Sequence, residues 1–165
     1  MKSVKPVILM VIFLCILGLG GVHAQRDYKT GIGFRAGPLA GLSAKQFISN
    51  KNALELIYSS KWNGTIFEGL YEIHHDFFKS ESFNFYYGGG AHYGHWNLNQ
   101  ADHPWFATNG AHSTFGIDGI VGLEYCFEEA PISVSMDWKP MLNLINYSGF
   151  WMNDIGLTIR YDIFK

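Results

Sequence analysis

Cysteine is nearly absent from this chain, which has two in 165 residues, Cys15 and Cys126. Cys15 lies in a stretch read below as removable, so no intramolecular disulfide is open to the remainder, and stability must come from the sheet. A second long apolar run is missing as well: Pro6 to Gly21 is almost unbroken apolar sequence, and nothing downstream repeats it. No segment shows the 3.6-residue periodicity of an amphipathic helix. Basic patches are lacking too. Without Lys2 and Lys5, ten basic residues face fourteen acidic ones, a net charge of −4 that gives nucleic acid or an anionic membrane surface nothing to hold.

The N-terminus has the plan of an export signal. Lys2 and Lys5 precede the apolar run, and Val22-His23-Ala24 supplies small side chains where a signal peptidase reads. Cleavage after Ala24 is expected, leaving one domain over Gln25–Lys165 with no linker. Leu14 is not the small residue that precedes a lipidated cysteine, so no lipid anchor is expected at Cys15.

Glycine and aromatic residues are abundant, and turn signals recur between runs of about ten residues whose alternate positions are apolar. Strands are predicted over Ala53–Trp62, Thr65–His75, Phe83–Trp96, Phe115–Phe127, Ile132–Pro140 and Ile155–Phe164, with two more in Gly31–Ile48 turning at Gly37–Gly41. A single bulged strand over Gly31–Ile48 is the alternative there. Asn63-Gly64 is the strongest hairpin signal, because both residues of a type I′ turn need positive φ. With those two at the turn, Ser59 lies opposite Glu68 and Glu55 opposite Glu72.

Alternation then sorts the side chains. Ile117, Val121, Leu123, Tyr125 and Phe127 share one face, as do Val134, Met136 and Trp138, and Leu157, Ile159, Tyr161 and Ile163. The other face receives Arg35, Lys45, Glu55, Lys61, Glu68, Glu72, Asp118, Glu124, Asp137, Lys139, Arg160 and Asp162. Greasy outside and charged inside is the pattern of an all-β, eight-stranded antiparallel transmembrane β-barrel with a side-chain-filled lumen. An even strand count puts Ser49–Asn52, His75–Ser82 and Glu128–Pro131 at the periplasmic end and the long irregular stretch Asn97–Thr114 outside. Trp62, Trp96, Trp138 and Trp151 are expected as an outer aromatic girdle, and Phe47, Phe77, Phe83, Phe127 and Phe164 as an inner one. Strict alternation from Phe85 would instead turn Trp96 inward, unless a bulge intervenes near Gly88–Gly90.

The C-terminal strand Gly156-Leu157-Thr158-Ile159-Arg160-Tyr161-Asp162-Ile163-Phe164 is the most specific piece. It resembles the terminal signal of the small OmpA and OmpX-like outer-membrane barrels of Gram-negative bacteria, although Lys165 follows the aromatic residue that usually ends that signal. Tyr86–His92 and Gly119–Tyr125 are similar to stretches of such barrels. The resemblance implies the fold, an outer-membrane location, contact with outer-membrane lipid and lipopolysaccharide, and recognition by the barrel-assembly machinery. It implies no catalytic residues.

Inward charges are costly unless paired, so an internal network of salt bridges is the expected use of the charged face, with an ion or proton path as the sharper alternative. A Lys45–Glu55–Glu72 cluster is expected within it, with His74 on the same face. His92, His95, His103 and His112 fall near the long loop, but no cysteine or carboxylate pair completes a ligand set, so neither metal nor cofactor is expected. Asp102-His103 and His112-Ser113 offer the residue types of a rim enzyme acting on lipid A, without the spacing that would make a catalytic unit. The chain is therefore read as a structural or surface-interaction protein with a non-conducting lumen. No external partner is specified by the sequence. Trp105, Phe106, Tyr147, Phe150 and Trp151 are the candidate surface contacts, or else girdle and loop-packing residues. The alternatives are the rim enzyme and a soluble, secreted ligand-binding barrel, which would carry its apolar face inside.

Overall fold

A computed structural model describes residues 29–77, 80–98 and 103–164. The predicted leader, residues 1–24, lies outside the described residues, as does Asp102. Ten strands form one antiparallel sheet: β1 (Thr30–Ala36), β2 (Gly41–Phe47), β3 (Asn52–Lys61), β4 (Gly64–Phe77), β5 (Ser80–Leu98), β6 (Gly110–Cys126), β7 (Ile132–Trp138), β8 (Met141–Ile145), β9 (Gly149–Trp151) and β10 (Ile155–Phe164). Consecutive strands pair from β1 through β7, β6 also pairs with β8, β8 with β9 and β7 with β10, and β10 returns to β1 with Phe34 opposite Ile159, so the sheet closes on itself.

The wall has eight strands because two of them are interrupted. Pro140 has no N–H to give the ladder, and it separates β7 from β8. Both segments nevertheless pair with β6, while the Pro140 carbonyl accepts the Gly119 N–H at 2.9 Å across the break. Likewise β9 and β10 are one strand broken at residues 152–154, pairing with β8 and β7 in turn. The strand predicted to end at Pro140 thus runs on to Ile145, and Trp138 sits in mid-wall rather than at a strand end. Gly31–Ile48 is two strands, joined at residues 37–40.

The β3–β4 hairpin departs from its predicted register. Its turn residues are Trp62 and Asn63, with φ of 54° and 56°, and Lys61 pairs with Gly64. Glu55 therefore lies opposite Leu70, and Glu72 opposite Ala53. Packing outweighs turn preference here, because Gly64 is needed inside the strand: a Cβ on it would sit 2.2 Å from the Trp96 ring. A slip of two residues keeps every side chain on its own face, so Glu55, Glu68 and Glu72 still point inward.

Outside, the belt is apolar: Ile117, Leu123, Tyr125, Met136, Leu157, Ile159 and Tyr161 are all exposed. Inside, apolar and charged layers alternate. Ile57, Leu70, Tyr86 and Ile120 form a middle patch, and Phe47, Ala53 and Cys126 pack at the end that carries the termini. Phe47 thus faces inward and does not join the inner girdle, whereas Phe127 is exposed on the outer face.

Closure depends on β10. Deleting Tyr161–Phe164 removes the pairing of Thr30, Gly31 and Ile32 with the last strand and leaves two open edges. Such a chain is expected not to assemble, and normal folding of the truncated protein in detergent would contradict this.

Candidate functional site

Alternation on eight strands brings the charged face together, and closure forces it into a narrow bore. Of the twelve predicted inward charges, all but Lys61 are buried. Lys45 is fully buried on β2, directly opposite Glu55 on β3. Its Nζ lies 2.8 Å from Glu72, 3.6 Å from Glu55 and 3.4 Å from Glu124, which projects from β6 on the far side of the ring. Arg160 reaches across from β10 to pair with Glu55 and, at 3.4 Å, with Glu124, while its Nη1 donates to Ser135 at 2.7 Å. His74 Nε2 stands 2.9 Å from Glu72 and Nδ1 3.7 Å from Glu124. Three carboxylates thus meet Lys45, Arg160 and the His74 ring.

A second group lies nearer the opposite mouth. Arg35 pairs with Asp137 at 2.6 Å and Asp154 at 3.1 Å, and Lys139 bridges Glu68 at 2.7 Å and Asp154 at 3.0 Å. His92 Nδ1 is 2.7 Å from Asp118, and its Nε2 is 2.9 Å from Asn143 Oδ1. A Cβ at Gly116 would lie 2.4 Å from the His92 ring, so that glycine makes room for it. The Tyr86 hydroxyl donates to Asp137 at 3.4 Å. Asp162 accepts from Ser133 at 3.0 Å near the terminal end. Lys61 is half-buried at the mouth, where its Nζ donates to the Pro38 carbonyl at 2.5 Å.

These pairs cross the bore rather than line it. Lys45 to Glu124 spans diametrically opposed strands, and Lys139 to Glu68 and Arg160 to Glu55 span nearly as far. Buried charges placed this way fill a lumen and tie opposite walls. Sequence reasoning missed Asp154, which sits in the break between β9 and β10, and it grouped His92 with loop histidines although alternation alone turns it inward.

Above the upper group the mouth is plugged. Leu39, Ile66, Trp96, Leu98, Trp105, Phe106 and Met141 form a buried cluster, with Trp62, Tyr147 and Trp151 packed against it. This corrects two expectations. Trp105 and Phe106 are only 6% and 8% exposed and are not surface contacts, Tyr147 and Trp151 back them, and of the five candidates only Phe150, 61% exposed, is open. Trp62, Trp96 and Trp151 are plug residues and not a girdle, because the loop before β6 folds inward over the strand ends. Trp96 turns inward by strict alternation, with no bulge at Gly88–Gly90.

His103 sits inside the plug with ring centroids 4.8–5.4 Å from Trp62, Trp96, Trp105 and Phe106. Its Nδ1 accepts the Trp105 backbone N–H at 3.1 Å. Burial, together with the nearby His112, pushes its pKa down to about 4.

Of the rim-enzyme candidates, Asp102 lies outside the described residues, and His112 and Ser113 are engaged elsewhere. His112 Nε2 meets the Thr108 carbonyl at 2.8 Å, its ring stacks on Phe106, and the Ser113 carbonyl accepts from Asn146. Among the described residues no group of three or more His, Cys, Asp or Glu side chains is placed to hold a metal ion.

No protein-family model matches the chain, and no curated protein matches it. Among solved structures it is similar to the crystal structure of Neisserial surface protein A (NspA), at 10% sequence identity over 81% of this chain and 93% of that one, with a TM-score of 0.46. The barrel assignment rests on the strand pairing itself.

Proposed function

We propose that this protein is an outer-membrane β-barrel with a structural or surface-interaction role and a lumen that does not conduct. The observation that carries this reading is the two-faced wall, ionised within and apolar without. Water-filled surroundings would favour the reverse, as in a soluble ligand-binding barrel. On β5 the outward positions run from Phe83 to Tyr93 before His95 and Asn97 follow, a stretch of eleven residues, and on β10 from Ile155 to Ile163, a stretch of nine. A tilted strand needs about 9–11 residues to cross the hydrocarbon core. Closure of β10 on β1 leaves no open sheet edge among the described strands, which is what lipid demands.

The filled bore supports a non-conducting role, since an eight-stranded barrel has room only for side chains. Export by the N-terminal signal and handling by the barrel-assembly machinery are part of the same reading. Phe150 and the connections at the plugged end are the surfaces left for lipopolysaccharide or an external partner.

The mature protein is expected in the outer-membrane fraction, with different electrophoretic mobility in unheated and boiled detergent samples. In planar bilayers it is expected to give no steady current. Recovery in the soluble periplasmic fraction would end the membrane reading, and stable channel conductance would end the non-conducting one.

A further inference from the structure

One imidazole, His103, stands at the centre of the plug among indole and phenyl rings. Because Nδ1 of His103 accepts the Trp105 N–H, the neutral ring carries its proton on Nε2, and among the described residues that buried nitrogen has no hydrogen-bond partner. A second proton must go to Nδ1. There it would set two donors face to face and break the bond that ties His103 to Trp105.

Among the described residues nothing around the ring would compensate. The β3–β4 turn contributes Lys61, a cation 4.7 Å over the Trp62 ring, and β6 contributes His112, stacked on Phe106. From β5 comes Trp96, from the β8–β9 side Met141, Tyr147 and Trp151, and behind Met141 stands Lys139, 3.8 Å from its sulfur. Segment 104–109 carries no charged residue. Among the described residues no carboxylate pairs with His103, and Asp154, Glu68 and Asp118 of the group beneath the plug are held by Arg35, Lys139 and His92; Asp102, next in sequence, lies outside the described residues.

We propose that His103 is an acid-released latch, whose protonation unseats residues 103–106 from the mouth and exposes the charged pairs filling the bore beneath to the outside. The latch lies above the membrane-spanning wall, so its release leaves the barrel closed. Linkage gives the direction. The packed ring holds its proton only below about pH 4, whereas a released one titrates near the ordinary value of about 6.5. The packed-to-released ratio is constant above about pH 6.5 and falls about tenfold per pH unit down to about pH 4, some 300-fold in all.

The test uses the full mature protein folded in detergent micelles, with acrylamide quenching of tryptophan emission followed from pH 8 to pH 3.5 beside the far-ultraviolet sheet signal. Four of the five tryptophans, Trp62, Trp96, Trp105 and Trp151, lie in the plug. Quenching is expected to rise as pH falls through this window while the sheet signal holds. H103F, which keeps an aromatic ring without titrating, should stay flat, and so should H103Q, whose amide oxygen can still accept the Trp105 N–H. H112Q should keep the transition. Unchanged quenching in the parent, the same rise in H103F or H103Q, loss of the rise in H112Q, or loss of sheet in step with it would each overturn the proposal.

Discussion

Replacing Lys45 with methionine is expected to destabilise the folded barrel by about 3–5 kcal/mol, the usual cost of removing one partner from a buried ion network. Lys45 has no access to water, and its ammonium is shared by three carboxylates, from Glu55, Glu72 and Glu124. Methionine keeps most of the volume but gives up the cation–π contact with Tyr86, whose ring centroid lies 4.2 Å from the ammonium. What is lost is charge. Arg160 remains paired with Glu55 and Glu124, so Glu72, which keeps His74 at 2.9 Å beside it, bears most of the loss.

The double variant K45M/E72Q is therefore expected to recover much of the stability, since it removes the stranded charge together with its partner. Urea unfolding in micelles, followed by tryptophan emission, measures both. A K45M protein as stable as the parent at neutral pH would show that the cluster does not hold opposite walls together. An equally weak K45M/E72Q would place the effect in packing instead of charge.

The faces of this barrel were legible because a strand has a period of two, and that period survives errors of register by an even number. The β3–β4 hairpin shows it: its turn is displaced from Asn63-Gly64 to Trp62-Asn63, yet Glu55, Glu68 and Glu72 stay inward. Lys45 opposite Glu55 follows from the short turn at residues 48–51, which fixes the β2–β3 register. The His92–Asp118 pair was not legible. It joins β5 to β6 across the longest connection, and no turn rule sets the pairing of Gly90 with Asp118 that brings the two side chains together.

The plug was illegible for a different reason. Trp105 and Phe106 lie in an irregular stretch, where no period tells inside from outside, and loop aromatics read equally well as contact residues. Glycines give the missing signal. Gly64, Gly94 and Gly116 face inward where a side chain would strike Trp96 or His92, so glycine beside a bulky inward residue marks a ring folded into the bore.

That relation sets the second large expected effect. Trp96→Ala should cost about 3–5 kcal/mol, the range for removing a buried aromatic side chain. Its indole is fully buried and contacts Trp105 and Phe106 at centroid distances of 5.4 and 5.7 Å, with His103 at 4.8 Å. Among the described residues its Nε1 has no hydrogen-bond partner, so the loss is read as one of packing. Gly94→Ala should do similar damage by another route, because the added Cβ would lie 2.0 Å from the indole, and the three atoms nearest to it all belong to Trp96. Evicting the ring forfeits the same contacts that deleting it does. In a Trp96→Ala background the Gly94→Ala change meets no indole and should cost less than about 1 kcal/mol, so the two effects are strongly non-additive. Urea unfolding of the four proteins closes this cycle. Additive losses would mean that Gly94 serves the backbone and not the ring. A Trp96→Ala barrel within about 1 kcal/mol of the parent would mean that the plug rests on the mouth without stabilising it.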